Sequence, residues 1–285
     1  MKLIADSGST KTDWCLTVEG REVARYSTQG INPFQQDEKT IAGILTHELF
    51  PQMGTDYNVS EVFFYGAGCR DEVRPAMIKL IKGALGDDCA IDVNGDLLAA
   101  ARALCGREGG VACILGTGAN SCVYDGKRIL SNVPPLGYIL GDEGSGAVLG
   151  RNFINALYKG RLPIEAQRLF EKEMSLDMAD IIRRVYREPL ANRFLASFSL
   201  FVGRHKDDFD ELKNLVIDNF RAFFCNNINR YVSEFNVDKN VLTVNAIGSM
   251  AYYFREEFSA AAAIEGFRLG RVEQSPMRGL MEYHG

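Results

Sequence analysis

Apolar and polar positions alternate in short runs through the first thirty residues. "KLIAD", "DWCLTVEG" and "REVARYST" predict three strands, with "EG" as the hairpin turn between the last two. From Asp37 the period lengthens. Ile41, Ile44, Leu45 and Leu49 recur at helical spacing on one face. "SEVFFYGAG" reads as a buried strand, and "DEVRPAMIKLIKGALG" as a helix closed by glycine. "CAIDV" is a short strand, after which Asp96 opens the alanine-rich helix "DLLAAARAL". The pattern then restarts. "GVACILGTGANSCVYDGKRILSNV" repeats strand, small-residue turn, strand, acidic-Gly turn and strand, as in "LIADSGSTKTDWCLTVEGREVARY". Helices dominate after Gly144, the longest from about Asp208 to Phe235. "NVLTVNAIGSM" is a late strand, followed by one predicted helix, "MAYYFREEFSAAAAI", and a C-terminal helix beginning at Pro276. Strands mixed with helices in this order give an α/β class with two related lobes, each begun by a β-meander.

The 285 residues suit one large domain or two medium ones. The boundaries read as an N-terminal lobe over 1–107, joined by the C-terminal helix at about 274–285, and a C-terminal lobe over 108–273. The net charge of -5 carries no basic block, which argues against a nucleic-acid partner. No apolar stretch is long enough for a membrane span and the N-terminus is unlike a signal peptide. Seven cysteines without a C-x-x-C pair read as reduced core residues, so the expected location is the cytoplasm.

The small-residue turns carry the chemistry. "DSGST" and "GTGANS" hold Gly8, Gly116 and Gly118, which permit positive φ and close backbone approach. Successive N–H groups in such turns make an anion site. Ser9, Thr10, Thr12 and Thr117 add hydroxyls, and Asp6 stands where a carboxylate holds Mg²⁺ through water. Asp96 ends a strand and starts a helix. It is placed either as the base that takes a proton in phosphoryl transfer or as the helix cap. Asp142 and Glu143, flanked by glycines, are likewise open to a ligand or able to cap the next helix. Asn32, before Pro33, is a turn residue or a ligand contact.

"DSGSTKTDW", "GTGAN" and "AIGS" resemble, in order, the phosphate-one, phosphate-two and adenosine motifs of the sugar kinase/Hsp70/actin superfamily. "GDEGS" after "PLGY" is similar to a segment of the N-acetylglucosamine kinases, within the ATPase family named for benzoyl-CoA reductase activators. Leu136 stands where those kinases often carry tryptophan. The resemblance implies a two-lobed actin-like, ribonuclease-H-like fold, each lobe a mixed sheet with flanking helices and ATP in the interlobe cleft. It implies an ATP- and Mg²⁺-dependent kinase acting on the 6-hydroxyl of N-acetylglucosamine or a related amino sugar. Ser9, Thr10, Lys11, Thr12, Thr117, Gly118, Gly248 and Ser249 would contact ATP. Asn32, Gly137 and Asp142 would bind sugar, Asp96 would be the catalytic base, and Asp6 would serve Mg²⁺. Glycines at 106, 109 and 110 would form a hinge. Two alternatives stand beside this: an iron–sulfur activator ATPase, using a cysteine such as Cys113, and a non-catalytic sugar-sensing relative. A homodimer is one assembly open to such a chain.

Overall fold

The computed structural model describes every residue except Ser9, 55–57 and Asp87. The chain divides into two units. One takes residues 1–108, 126–128 and 275–285, the other residues 109–125 and 129–274.

The first unit opens with β1 (Lys2–Ser7), β2 (Lys11–Val18) and β3 (Arg21–Gln29). Glu19 and Gly20 both take positive φ, as a two-residue hairpin turn between right-twisted strands demands. Asp37 caps α1 (Glu38–Ile44) by accepting from the Thr40 N–H. A π-helical turn (Leu45–Leu49) then leads into α2 (Phe50–Met53). Ile41, Ile44, Leu45 and Leu49 are all buried, so the helical period read the right face. β4 (Glu61–Gly66), α3 (Arg74–Leu85), β5 (Ala90–Gly95) and α4 (Asp96–Cys105) follow. The sheet runs in the order β3-β2-β1-β4-β5, antiparallel through β1 and parallel beyond it.

The second unit repeats that plan. β6 (Gly109–Leu115), β7 (Ala119–Asp125) and β8 (Ile129–Ser131) form its meander. Then come α5 (Gly137–Leu140), α6 (Gly146–Tyr158), α7 (Ile164–Met174), α8 (Met178–Arg187), α9 (Ala191–Ser197) and α10 (Ser199–His205). α11 (Asp210–Phe223) continues through a π-helical turn (Phe224–Ile228) into α12 (Asn229–Phe235). β9 (Thr243–Ile247), α13 (Ser249–Tyr253), α14 (Arg255–Glu265) and β10 (Arg268–Glu273) complete it. The sheet order β8-β7-β6-β9-β10 is the order of the first sheet, strand for strand. Its core is aromatic, with Phe153, Phe170, Phe198, Phe201, Phe220 and Phe224 fully buried.

One expectation is corrected here, and one element is new. The helix expected over "MAYYFREEFSAAAAI" is two, α13 and α14, broken at Phe254, which leaves helical geometry (φ -107°, ψ 36°). β10 was not foreseen, because "RLGRVE" carries three charges and little apolar alternation.

The final helix, α15 (Met277–His284), packs on α4 and β1 of the first unit. Gly279 lies so close to Ala103 of α4 that any Cβ there would overlap its carbonyl. The C-terminal end is tied by polar contacts. Tyr65 Oη and His284 Nε2 lie 2.8 Å apart, and Arg102 Nη1 donates to Tyr65 Oη at 2.7 Å. The His284 ring stacks on Phe63, and Lys2 Nζ donates to the His284 carbonyl.

Candidate functional site

In each sheet the central strand ends in an open turn; beside it the parallel strands β4 and β5 end in Gly66 and Gly95, and in the second sheet Gly248 follows β9. In α/β sheets such carboxyl ends are where ligands gather.

The first unit gathers carboxylates. Asp6 and Asp13 stand directly opposite one another in the β1/β2 register. Asp6 makes no side-chain hydrogen bond among the described residues. Burial, then Asp96, then Asp13 push its pKa up to about 7, against a smaller opposing effect of Lys11. Asp96 is the first residue of α4, but Gly95 is the N-cap. Asp96 Oδ1 accepts from the Leu97 N–H at 2.9 Å, so the capping reading is replaced by a weaker one, a carboxylate seated in the first turn. Burial raises its pKa too, although it is recessed rather than sealed from solvent. Lys11 Nζ meets Asp13 Oδ2 at 2.8 Å and Oδ1 at 3.0 Å.

The turn itself is closed by the Gly8 N–H, which donates to the Lys11 carbonyl at 3.0 Å. Thr10 is exposed. Thr12, expected beside the phosphates, is fully buried instead. Its hydroxyl lies 2.6 Å from Ser7 Oγ and donates to the Gln29 carbonyl. It fixes the frame of the turn rather than offering a donor, because residue 12 points into the sheet while 11 and 13 point away. Ser9 lies outside the described residues.

Asn32 is buried, and its side chain closes a local turn. Oδ1 accepts from the Phe34 N–H at 3.0 Å, and the Asn32 N–H donates to Gln36 Oε1 at 2.8 Å. Gly68, at φ 79°, lets this loop seat against the turn after β4, since a Cβ there would overlap Asn32 Oδ1. The same turn carries Cys69, whose carbonyl approaches Gly95. Burial and nearby Asp96 push the Cys69 thiol up to about 12. So one turn touches both the Asn32 loop and the entry to Asp96, a link that no sequence spacing displayed.

The second unit gathers its own group. The Gly116 N–H donates to the Gly118 carbonyl, and the Gly116 and Thr117 carbonyls accept from Gly146 and Ala147 at the start of α6. Thr117 is exposed above this frame. Asp142 lies against Gly118, where a Cβ would come within 3.1 Å of Oδ2. The Ala119 N–H donates to its carboxylate, yet burial still pushes the pKa up to about 6, with Glu143 adding to it. Ser145, not Asp142 or Glu143, caps α6 by accepting from the Val148 N–H. Gly248 at φ 113° presses on the Leu115 carbonyl and brings the exposed Ser249 beside the same turn.

The backbone around Asp142 is unusual. Leu136, Gly137, Asp142 and Gly144 all have positive φ. For Leu136 and Asp142 that is strain the surroundings must hold. They do so by bonds from the Asp142 N–H to the Pro135 carbonyl (2.8 Å) and from Arg151 Nη1 to the Tyr138 carbonyl (2.6 Å). Asn219, buried on α11, accepts from the Gly144 N–H and donates to the Ser145 carbonyl. Asn226 Nδ2 donates to Glu143 Oε1 at 2.8 Å. Both asparagines went unread in the sequence. For Asn219, a polar residue on the face of Leu212, Val216, Phe220 and Phe223, its place on an apolar face was the available signal; exposed Asn226 offered none. Gly137 and Leu136 are exposed.

One expected conformation is absent. Gly8, Gly116 and Gly118 are not among the positive-φ glycines. Their small size keeps the turns open, since a Cβ at Gly116 would meet nothing within 4 Å and one at Gly8 would make only ordinary contact. Cys113, the cysteine of the iron–sulfur reading, is fully buried in the second core. Among the described residues no group of three or more His, Cys, Asp or Glu side chains is arranged to hold a metal, and no helix is long and apolar enough to cross a membrane.

No family model matches the chain, and no curated protein matches it. Solved structures do. A "ROK family glucokinase" of Streptomyces griseus, solved with glucose and AMPPNP, is 14% identical over 99% of this chain and 97% of its own, with a TM-score of 0.56. The "Putative N-acetylglucosamine Kinase" of Chromobacterium violaceum is 17% identical over 100% and 98%, with a TM-score of 0.72. These two establish the fold alone. The "Putative N-acetylglucosamine Kinase" of Porphyromonas gingivalis is 49% identical, covers 100% of this chain and 98% of its own, and has a TM-score of 0.93. With half its residues shared from end to end, the chain belongs to the N-acetylglucosamine kinase family.

Proposed function

We propose that the protein is an ATP-dependent kinase that phosphorylates the primary hydroxyl of an N-acetylated amino sugar. The observation that carries the reading is Asp96, a recessed carboxylate at the head of α4 that does not serve as its cap and has no cationic partner among the described residues.

In this reading Asn32, Gly137 and Asp142 orient the sugar. Asp142 accepts from a ring hydroxyl, and its positive φ keeps the carboxylate aimed beside Gly118. Asp96 accepts the proton of the primary hydroxyl as that oxygen forms its bond to the γ-phosphorus and the bond from γ-phosphorus to the bridging oxygen of ADP breaks. The raised pKa of Asp96 moves it toward a hydroxyl's needs as a base. Thr10, Lys11, Thr117 and the N–H groups of the two turns hold phosphate oxygens, and Gly248 with Ser249 serves the nucleoside end.

The residues fit Mg²⁺. Asp6 is a carboxylate without a hydrogen-bond partner among the described residues and under pressure from two neighbouring acids, a donor suited to a hard cation. When bound, Mg²⁺ supplies charge neutralisation on the phosphates. Asp6 would hold it, directly or through water.

Phosphorus NMR of the product tests the regiochemistry. Coupling of the new phosphate to both protons of one methylene carbon identifies the primary ester. Coupling to a single ring proton would overturn the assignment of the acceptor.

A further inference from the structure

Lys11 and Asp13 lie two residues apart at the start of β2, on the face away from buried Thr12. The ammonium sits between both oxygens of one carboxylate, at 2.8 and 3.0 Å. Lys11 is the more open partner, its side chain 65% exposed against 24% for Asp13. Glu48, an acid of the π-helical turn that reaches the end of β3, is occupied, accepting from the Gln29 N–H and Nε2 at 2.8 Å each.

The strand register makes this pair more than a surface ornament. Asp13 is directly opposite Asp6. Like charges facing across antiparallel strands are destabilising. In a chain selected for stability alone, a neutral residue at 13 would remove that repulsion. Lys11 offsets it, but Lys11 also closes the turn expected to hold phosphate, since its carbonyl accepts from the Gly8 N–H. One cation therefore has two anionic claimants, the Asp13 carboxylate and an incoming phosphate.

We propose that Asp13 is a positioning residue that holds Lys11 as an internal counter-ion while the turn is empty and surrenders it when a phosphate chain arrives. This rests on reading the turn over residues 8–12 as a phosphate site. The exchange is an ion-pair swap with no covalent step. The ammonium leaves one carboxylate for phosphate oxygens, a move that its exposure and flexible stem permit. An exposed ion pair of this kind holds its partner only weakly, so the swap lowers phosphate affinity by a small factor rather than blocking it.

The test is calorimetric binding of AMPPNP, with excess EDTA, to the full chain and to a double-mutant cycle. Asp13→Asn should bind about two- to five-fold more tightly than wild type, because Lys11 is released in advance. Lys11→Met should bind more weakly. In the Lys11→Met background Asp13→Asn should gain less than in the wild-type background, which marks an effect passed through Lys11. An equal gain in both backgrounds would show Asp13 acting only as a bare charge and overturn the proposal. So would unchanged or weaker binding by Asp13→Asn, with Asp13→Ser as a second variant and thermal melts confirming that each folds. Failure of the wild-type chain to bind AMPPNP with or without Mg²⁺ would overturn both the phosphate site and this exchange. Binding by wild type with an additive cycle would overturn the exchange alone.

Discussion

Three carboxylates carry the proposed chemistry, and each makes a separate prediction. Asp96→Asn keeps size and the hydrogen bond from Leu97 but loses the base, so kcat should fall about 100-fold or more while both KM values stay within a few-fold. Steady-state kinetics with the two substrates varied in turn reads this directly, and a near-normal kcat would leave Asp96 as a structural residue of the first turn. Asp6 has a folded pKa of about 7, above its ordinary 3.8. The stability it contributes is thus full below about 3.8 and lost as pH rises through about 7. Asp6→Asn should melt about 2–4 °C higher than wild type at pH 8 without nucleotide or divalent ion, the difference shrinking at pH 5, while losing Mg²⁺-dependent nucleotide binding. Equal melting curves at both pH values would contradict it. Burial pushes the Asp142 pKa up to about 6, and in the proposed function its ionised form accepts from a sugar hydroxyl. The KM for sugar should therefore rise as pH falls through about 6, with a smaller change in the KM for ATP. Asp142→Ala should raise the sugar KM and abolish that pH step. The positions of Asp6, Asp96 and Asp142 were legible because each stands at a boundary between an apolar run and small residues. The direction of Thr12 was not, because a turn leaves the strand's inward parity undefined until the first paired residue is known.

At the level of elements, the two meanders and the hairpin at Glu19–Gly20 could be read because strand period and turn chemistry agree there. The break at Phe254 could not, since no Pro or Gly marks it. The bracing of the Asp142 segment by Asn219 and Asn226 was also hidden, because the partners are more than seventy residues apart in sequence. The same is true of α15. Its helical period and Pro276 announce it, but its attachment depends on Tyr65, Arg102 and His284 meeting in space. That attachment has a titratable part. Burial, with Arg102 and Lys2 nearby, lowers the His284 pKa to about 4 from its ordinary 6.5. A depressed imidazole contributes stability that is present above about 6.5 and fades as pH falls toward 4. Between pH 7 and 5 this loss opposes the gain from Asp6, so His284→Gln, which cannot titrate, should become more stable relative to wild type as pH falls over that range. Parallel pH profiles in both proteins would place the pH sensitivity elsewhere.

For the whole molecule, the repeated five-strand order explains why two similar turns occur in one chain. Each unit presents the end of its central strand, one rich in carboxylates and the other in small residues beside a strained acidic segment. A sugar kinase needs both kinds of group, a base with a cation site and a cradle with a hydroxyl acceptor. In the proposed function the sugar's identity turns on groups near Leu136, which is exposed and has positive φ. A polar group left unpaired by the wrong sugar costs about 1–3 kcal/mol, enough to separate close substrates by factors of roughly ten to a hundred. The most direct measurement is phosphate transfer from ATP to N-acetylglucosamine, N-acetylmannosamine, glucosamine and glucose under one set of conditions, scored as kcat/KM. The account predicts that an N-acetylated sugar is preferred and that Asp96→Asn abolishes the transfer. A clear preference for glucose or glucosamine would contradict the acyl-sugar assignment, and no transfer to any of the four would contradict the kinase itself.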